Sequence, residues 1–273
     1  METARGRIAT AKELLDGGDL EGAIQQLTLD VKSNTLDEQL RTSLFELLCF
    51  AGDFERAERQ LDVIGHQSAK AEIGVQVYRN NIKAEVARRR LFSDGLHPHF
   101  LNEPPAYVDL HLDAVNRIRE GNLREARDLL DRAEEERPAF GGKFNGREFK
   151  DFRDYNDLVG PVLELIVRDE YVWLPIEQIR RIEMNEPQQL RDLMWTPARI
   201  EADDGTIGEV FIPALYPDSS GHPSDQVKLG RMTDWKEVGE DVCLPVGLRL
   251  FLIDGDDKAI LEVRSVEFSS AAM

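Results

Sequence analysis

Apolar positions in the first half of the chain recur every three or four residues, the spacing of one helix face, and one turn pattern interrupts them three times. In ELLDGGDLEGAIQQL, LLCFAGDFERAERQL and RIREGNLREARDLL, a helical stretch runs into Gly, then Asp or Asn, a hydrophobic residue, two intervening positions and Ala. Gly18 and Gly52 are 34 residues apart, as are Ala23 and Ala57, and Gly121 lies 69 beyond Gly52. A period of about 34 residues is that of the tetratricopeptide repeat, a helix–turn–helix unit. The chemistry of each position suits it. Glycine tolerates the positive φ of a tight interhelical turn, and Asp19, Asp53 and Asn122 are expected to cap the following helix. The alanines let paired helices approach, and Leu27, Leu61 and Leu130, each four residues further on, share their face.

Between the second and third turns, AKAEIGVQVYRNNIKAEVARRRLFSDG has no such break. It predicts one long helix replacing a regular unit and ending near Gly95, with Ile73, Val77, Ile82 and Val86 as its apolar positions. Pro98, Pro104 and Pro105 then resist helix continuation. Carried back from the turn glycines, the repeat register places Ile8, Leu15, Thr42, Phe50, Val108, Val115 and Ile118 on one concave face, rimmed by Arg5, Lys12, Glu46 and Arg119. An apolar strip with a charged rim is a groove for an amphipathic helix; these residues are the expected partner-binding surface.

Beyond Pro138 the pattern changes. AFGGKFNGREFKDFRDYND reads as a loop with a short helix. Further on, short apolar runs alternate with turn signals, and two hairpins are expected, turning through Asp203–Asp204–Gly205 and through Asp254–Gly255–Asp256–Asp257. Some helix is expected over Pro175–Met184 and Glu186–Leu193. The predicted fold is α+β: tetratricopeptide-like helical repeats over residues 1–140, then a β-rich, mainly antiparallel domain over 141–273.

Composition narrows the function. Hydrophobic residues form 41 % of the 273, and net charge is −18. From Pro161 onward the charge is −11, against −7 before it. Such a field repels phosphate backbones and anionic lipid, so neither nucleic acid nor membrane is an expected partner. With no long apolar run and no secretory leader at the N-terminus, a cytoplasmic location is expected. Cys49 and Cys243 have no metal-site spacing, and Cys49 in LFELLCF reads as a buried small residue.

Candidate chemistry is thin. Asp151, Asp154, Asp157 and Glu164 could hold a divalent ion or work as acid and base, the basis of an alternative reading as a metal-dependent hydrolase. The plainer reading has them capping helices and pairing with Arg147, Arg153 or Arg168. A second alternative is a structural tether that binds a basic partner through the acidic C-terminal domain. His97 and His99 flank Pro98 without further ligands, FGGKFNG lacks the Lys-Ser/Thr of a phosphate loop, and Trp173, Trp195 and Trp235 read as core anchors. No catalytic residue, metal ligand, cofactor or small-molecule substrate is expected.

One resemblance covers nearly the whole chain. FNGREFKDFRDYNDLVGPVLELIV, YVWLPIEQI, PQQLRDLMWTPARI, FIPALYP and LGRMTDW are similar to the ImpE family, also called SciE or TagJ. The matching positions are Gly146, Phe149, Asp154, Asp157 and Gly160–Glu164, then Tyr171, Trp173 and Pro175, then Pro187, Leu190–Leu193, Trp195 and Pro197. The basic helix end Arg88–Phe92 fits as well. Ile176 stands where the family pattern has Phe, and Tyr155–Asn156 where it has Ala-Asp-type residues. The resemblance implies a non-enzymatic type VI secretion accessory protein. It would bind the N-terminal amphipathic helix of the small sheath subunit and through it be linked to the ClpV-type ATPase.

Overall fold

The computed structural model describes residues 10–67 and 69–269. Among the described residues seven helices come first: α1 over 10–16, α2 Leu20–Ser33, α3 Glu38–Phe50, α4 Phe54–Gly65, α5 Ala69–Asp94, α6 Ala106–Arg119 and α7 Leu123–Glu136. The turn glycines sit between paired helices as the repeat requires, with φ of +83° at Gly18, +75° at Gly52 and +78° at Gly121. Asp19 accepts the Gly22 N–H at 2.8 Å and Asp53 the Arg56 N–H at 3.1 Å. Asn122 departs from this pattern: it makes no side-chain cap, and its Nδ2 donates to Glu120 instead. The unbroken segment is a single 26-residue helix.

Glu136 ends the last of these helices and Gly142 begins the first strand. The strands are β1 Gly142–Phe144, β2 Arg147–Phe149, β3 Phe152–Asp154, β4 Val162–Val167, β5 Glu170–Pro175, β6 Ile179–Met184, β7 Trp195–Ala202, β8 Ile207–Pro213, β9 Thr233–Gly239, β10 Val242–Gly247, β11 Leu250–Ile253, β12 Asp256–Ala259 and β13 Ser265–Phe268. A four-residue helix, α8 Asp225–Lys228, precedes β9. The main sheet has the order β2-β1-β13-β6-β7-β8-β4-β5, and β12-β11-β3 and β10-β9 form two smaller sheets. Every pairing between named strands is antiparallel. From Thr196 onward β7 alternates as a half-buried strand should, with Thr196, Ala198, Ile200 and Ala202 inside and Pro197 and Arg199 outside. β4 and β5 are buried almost throughout, because α5 packs on them.

Both expected hairpins are present: Glu201 pairs with Ile207, and Ile253 with Asp256. The segment expected to be a loop with a short helix instead forms β1–β3. Its Asn145–Gly146 turn has both φ values positive, 48° and 82°, as a two-residue hairpin turn demands. The helix expected over Pro175–Met184 is only a 3-10 turn at Ile176–Gln178, after which the chain enters β6; Leu190–Leu193 is likewise a single 3-10 turn. These short segments carry turn chemistry at one end and no helical stripe long enough to bury.

The apolar core runs without a break from the helices into the sheet. The strand half also grips the first two repeat turns. Asp225 accepts the Leu20 N–H at 2.9 Å, and Arg231 donates to the Leu15 carbonyl at 2.8 Å. A Cβ at Gly52 would meet the Ser220 hydroxyl at 2.6 Å, whereas one at Gly121 would meet nothing within 4 Å.

Candidate functional site

The expected groove is not an open strip. Phe50, Val108 and Val115 are 1 %, 0 % and 2 % exposed, inside the core. Leu15, Thr42 and Ile118 are half-buried, and Ile8 and Arg5 lie outside the described residues. Glu46, expected on the rim, is buried and bonded to Arg191 at 2.6 Å. The physical reason lies in α3, where every residue from Leu44 to Phe50 is buried. Seven consecutive residues point all round a helix, so the second half of this helix is covered on all sides.

Coverage comes from α5 and the sheet, and the surface between them is charged. Along α5, Tyr78, Glu85 and Arg88 share one face at helical spacing and bond to Arg191, Trp195 and Glu164 of the strand half. Arg88, 1 % exposed, clamps Glu164 of β4 with two bonds, Nε to Oε1 at 2.8 Å and Nη2 to Oε2 at 3.0 Å, and reaches Glu85 at 3.1 Å. Arg249, 0 % exposed, bonds both Glu164 and Asp154, and its Nε donates to the Pro213 carbonyl at 2.9 Å. The Tyr171 hydroxyl donates to Glu164 and receives the Trp173 indole N–H at 2.6 Å. The Tyr216 hydroxyl lies 3.0 Å from Asp154. Burial alone would raise the Glu164 pKa, but Arg88 and Arg249 outweigh it and hold the carboxyl well below the usual range. At Asp154 burial wins over Arg249, and the pKa is raised.

Further ties surround this network. Arg191 stacks over the Tyr78 ring at 5.0 Å and accompanies its bond to Glu46 with one to the Tyr78 hydroxyl at 2.6 Å. His99, in the proline-rich connection, pairs with the free edge of β5: its N–H donates to the Tyr171 carbonyl and its carbonyl receives the Trp173 N–H, each at 3.0 Å.

The aspartates singled out as a possible metal cluster are separated by arginines. Asp151 takes two bonds from Arg137 at 2.8 and 2.7 Å, and Asp157 is held by Arg127 at 2.9 Å and by Arg153. Asp154 and Glu164 share Arg249, so a guanidinium fills the space a bridging cation would take. Arg153 is a pairing partner as expected; Arg147 and Arg168 are replaced by Arg127, Arg137 and Arg249. Among the described residues no three His, Cys, Asp or Glu side chains are placed to hold a metal ion. Cys49 is buried at 2 % exposure. Trp173 and Trp195 are core anchors, but Trp235 is not, being 42 % exposed.

Sequence reasoning missed Arg88, Glu85 and Arg249 as seam residues. The available signal was a stripe of polar residues on a long helix whose apolar positions do not form one face: Ile82 is buried, but Ile73, Val77 and Val86 are 74 %, 39 % and 42 % exposed.

Comparison with known proteins places these features in a wider set. A family model described as "ImpE protein" matches residues 146–267. The chain is 36 % identical over 265 residues to the type VI secretion system accessory component TagJ of Pseudomonas aeruginosa, covering 97 % of this chain and 93 % of that one. The crystal structure of protein VPA1032 from Vibrio parahaemolyticus superimposes with a TM-score of 0.88 at 28 % identity, covering 95 % of this chain and 97 % of the other. No helix among the described residues is long and apolar enough to cross a membrane.

Proposed function

The chain belongs to the ImpE family, and we propose from this premise that it is a non-catalytic adaptor of type VI secretion that works by binding other proteins in the cytoplasm. The observation that supports an adaptor over an enzyme is where the family-pattern residues lie. Glu164, Arg191 and Trp195 bond Arg88, Glu46 and Glu85 of the helical layer, and Tyr171, Trp173 and Asp154 brace Glu164 and its partner Arg249 from within the strand half. Carboxylates locked by buried arginines are poor proton shuttles and poor metal ligands. The result is a rigid frame with its outer helix faces free.

In this reading the partner is the N-terminal amphipathic helix of the small sheath subunit, which links the complex to the ClpV-type ATPase. Its docking surface cannot centre on the buried Phe50, Val108 and Val115. The exposed apolar side chains nearest that description are Ile73 and Val77, four residues apart on α5, with Val63 on α4, at 74 %, 39 % and 38 % exposure. The ion pair of Arg79 with Asp62, 2.8 Å, joins the two helices beside them. An apolar anchor buried on binding contributes ~1.5–3 kcal/mol. Titration of the purified chain with a synthetic sheath-subunit N-terminal peptide tests the reading. Saturable binding weakened about tenfold by Val77→Asp or Ile73→Asp supports it. Absence of binding overturns the partner, and binding indifferent to both substitutions overturns the surface.

A further inference from the structure

A cavity of about 540 Å³ opens at the seam, between Arg89 of α5, the loop Asp218–Pro223 and the hairpin of β9 and β10. It falls within the ~300–1,000 Å³ typical of ligand pockets. The adaptor reading makes no use of it. Trp235 forms one wall, and Tyr155 backs the indole with ring centroids 5.7 Å apart. The ring is thus held in place while its remaining surface meets solvent, an arrangement suited to receiving another flat apolar group.

The charge of the lining runs against that of the molecule. Arg89 and Lys236 both face the cavity, and among the described residues neither has a carboxylate within ion-pair distance, although most arginines of the chain do. Arg89 touches only neutral groups: the Gly52 carbonyl at 3.4 Å, the Ser220 hydroxyl at 3.2 Å and the face of Phe54 at 4.2 Å. These contacts orient the guanidinium without neutralising it. His222 lies beside them, 3.4 Å from Asp234, and Asp218 is the one carboxylate of the lining. Two unpaired cations against one carboxylate is the reverse of a chain of net charge −18.

We propose that this cavity binds a segment of a partner protein in which an acidic residue adjoins an aromatic one. The carboxylate meets Arg89 and Lys236 through charge-assisted hydrogen bonds, and the aromatic ring packs on Trp235. A Trp and an Arg converging in one concavity is also the composition of interface hot spots. The site is separate from the proposed sheath-helix surface: Arg89 follows Val77 by twelve residues along α5, roughly 18 Å at the helical rise.

The protein carries its own reporter, because Trp173 and Trp195 are fully buried and Trp235 is not. Intrinsic fluorescence of the full chain is titrated with acetyl-Asp-Phe-amide, and with acetyl-Asn-Phe-amide and acetyl-Asp-Ala-amide as controls. The expected result is a saturable change with the first probe, at least threefold weaker binding of both controls, and no change in Trp235→Phe. Arg89→Gln should weaken binding about tenfold and Lys236→Gln about threefold. Thermal unfolding checks that each variant is folded; Lys236 is exposed on the hairpin, so its variant stands if Arg89→Gln does not fold. No saturable change up to roughly 10 mM, a range that covers even interactions near −3 kcal/mol, overturns the proposal. So does equal binding of the Asn probe, or binding that folded Lys236→Gln leaves unchanged.

Discussion

Replacing Glu164 by Gln should break the seam between the helical layer and the sheet. The substitution preserves shape but removes the charge that Arg88 and Arg249 share, and it turns one acceptor oxygen into a donor facing guanidinium N–H groups. Glu164 takes two bonds from Arg88, one from Arg249 and one from the Tyr171 hydroxyl, at 0 % exposure. A Gln side chain can satisfy at most part of that set, leaving two buried guanidiniums with only Asp154 and Glu85 between them. Removing one partner of a buried ion pair costs roughly 3–5 kcal/mol. At ~2–4 °C per kcal/mol for a chain of this size, melting should fall by roughly 10 °C. Calorimetry gives the midpoint, and urea unfolding followed by far-UV circular dichroism and by tryptophan fluorescence gives the free energy. Asp157→Asn is the control: that carboxylate is 39 % exposed and its arginines keep Asp131 and Glu134, so the loss should stay near 1 kcal/mol. The acid limb is a second readout. The folded pKa of Glu164 is depressed, so its stabilisation is complete above the unfolded value of about 4.3 and is lost as pH falls below it. Glu164→Gln should flatten that part of the stability curve. A variant within 1 kcal/mol of the parent at neutral pH would refute the seam as the element joining the two layers.

Three further outcomes follow from individual residues. Burial holds the pKa of His111 down at about 4, so its neutral form contributes stability above the unfolded value of about 6.5 that is lost as pH falls from there toward 4. Between pH 7 and pH 5 the parent should lose about 2 kcal/mol more than His111→Leu in parallel denaturant titrations. Gly52→Val should destabilise more than Gly121→Val: both incur the ~1–2 kcal/mol of left-handed backbone, but only at Gly52 does the side chain also meet Ser220 and Arg89; equal melting shifts would contradict the docking of that turn. Asp53→Ala should cost about 1 kcal/mol as a lost helix cap, while Asn122→Ala, which caps nothing, should leave thermal unfolding nearly unchanged.

The sequence by itself determined the features set by neighbours along the chain. The turn glycines, the Asp caps, the uninterrupted α5 and the hairpins at Asp203–Gly205 and Asp254–Gly255 each rest on local backbone geometry and hydrophobic period, and each was legible. The Asn145–Gly146 hairpin was equally local and was overlooked because aromatic and Gly-rich surroundings resemble a loop. What only the tertiary structure decided is which faces are covered. Phe50, Val108 and Val115 lie on the helix face that a bare repeat array would leave open, but here that face is filled by α5 and the sheet. Tyr78, Glu85 and Arg88 look like solvent positions because charged side chains normally avoid burial. Glu85 and Arg88 are buried and Tyr78 half-buried because Glu164, 76 residues from Arg88 in the chain, and Arg191, 113 from Tyr78, supply the matching charge and hydrogen bonds. Such pairing has no period and no local signature: the desolvation of each charge is offset only when the fold brings its partner to within 3 Å or so.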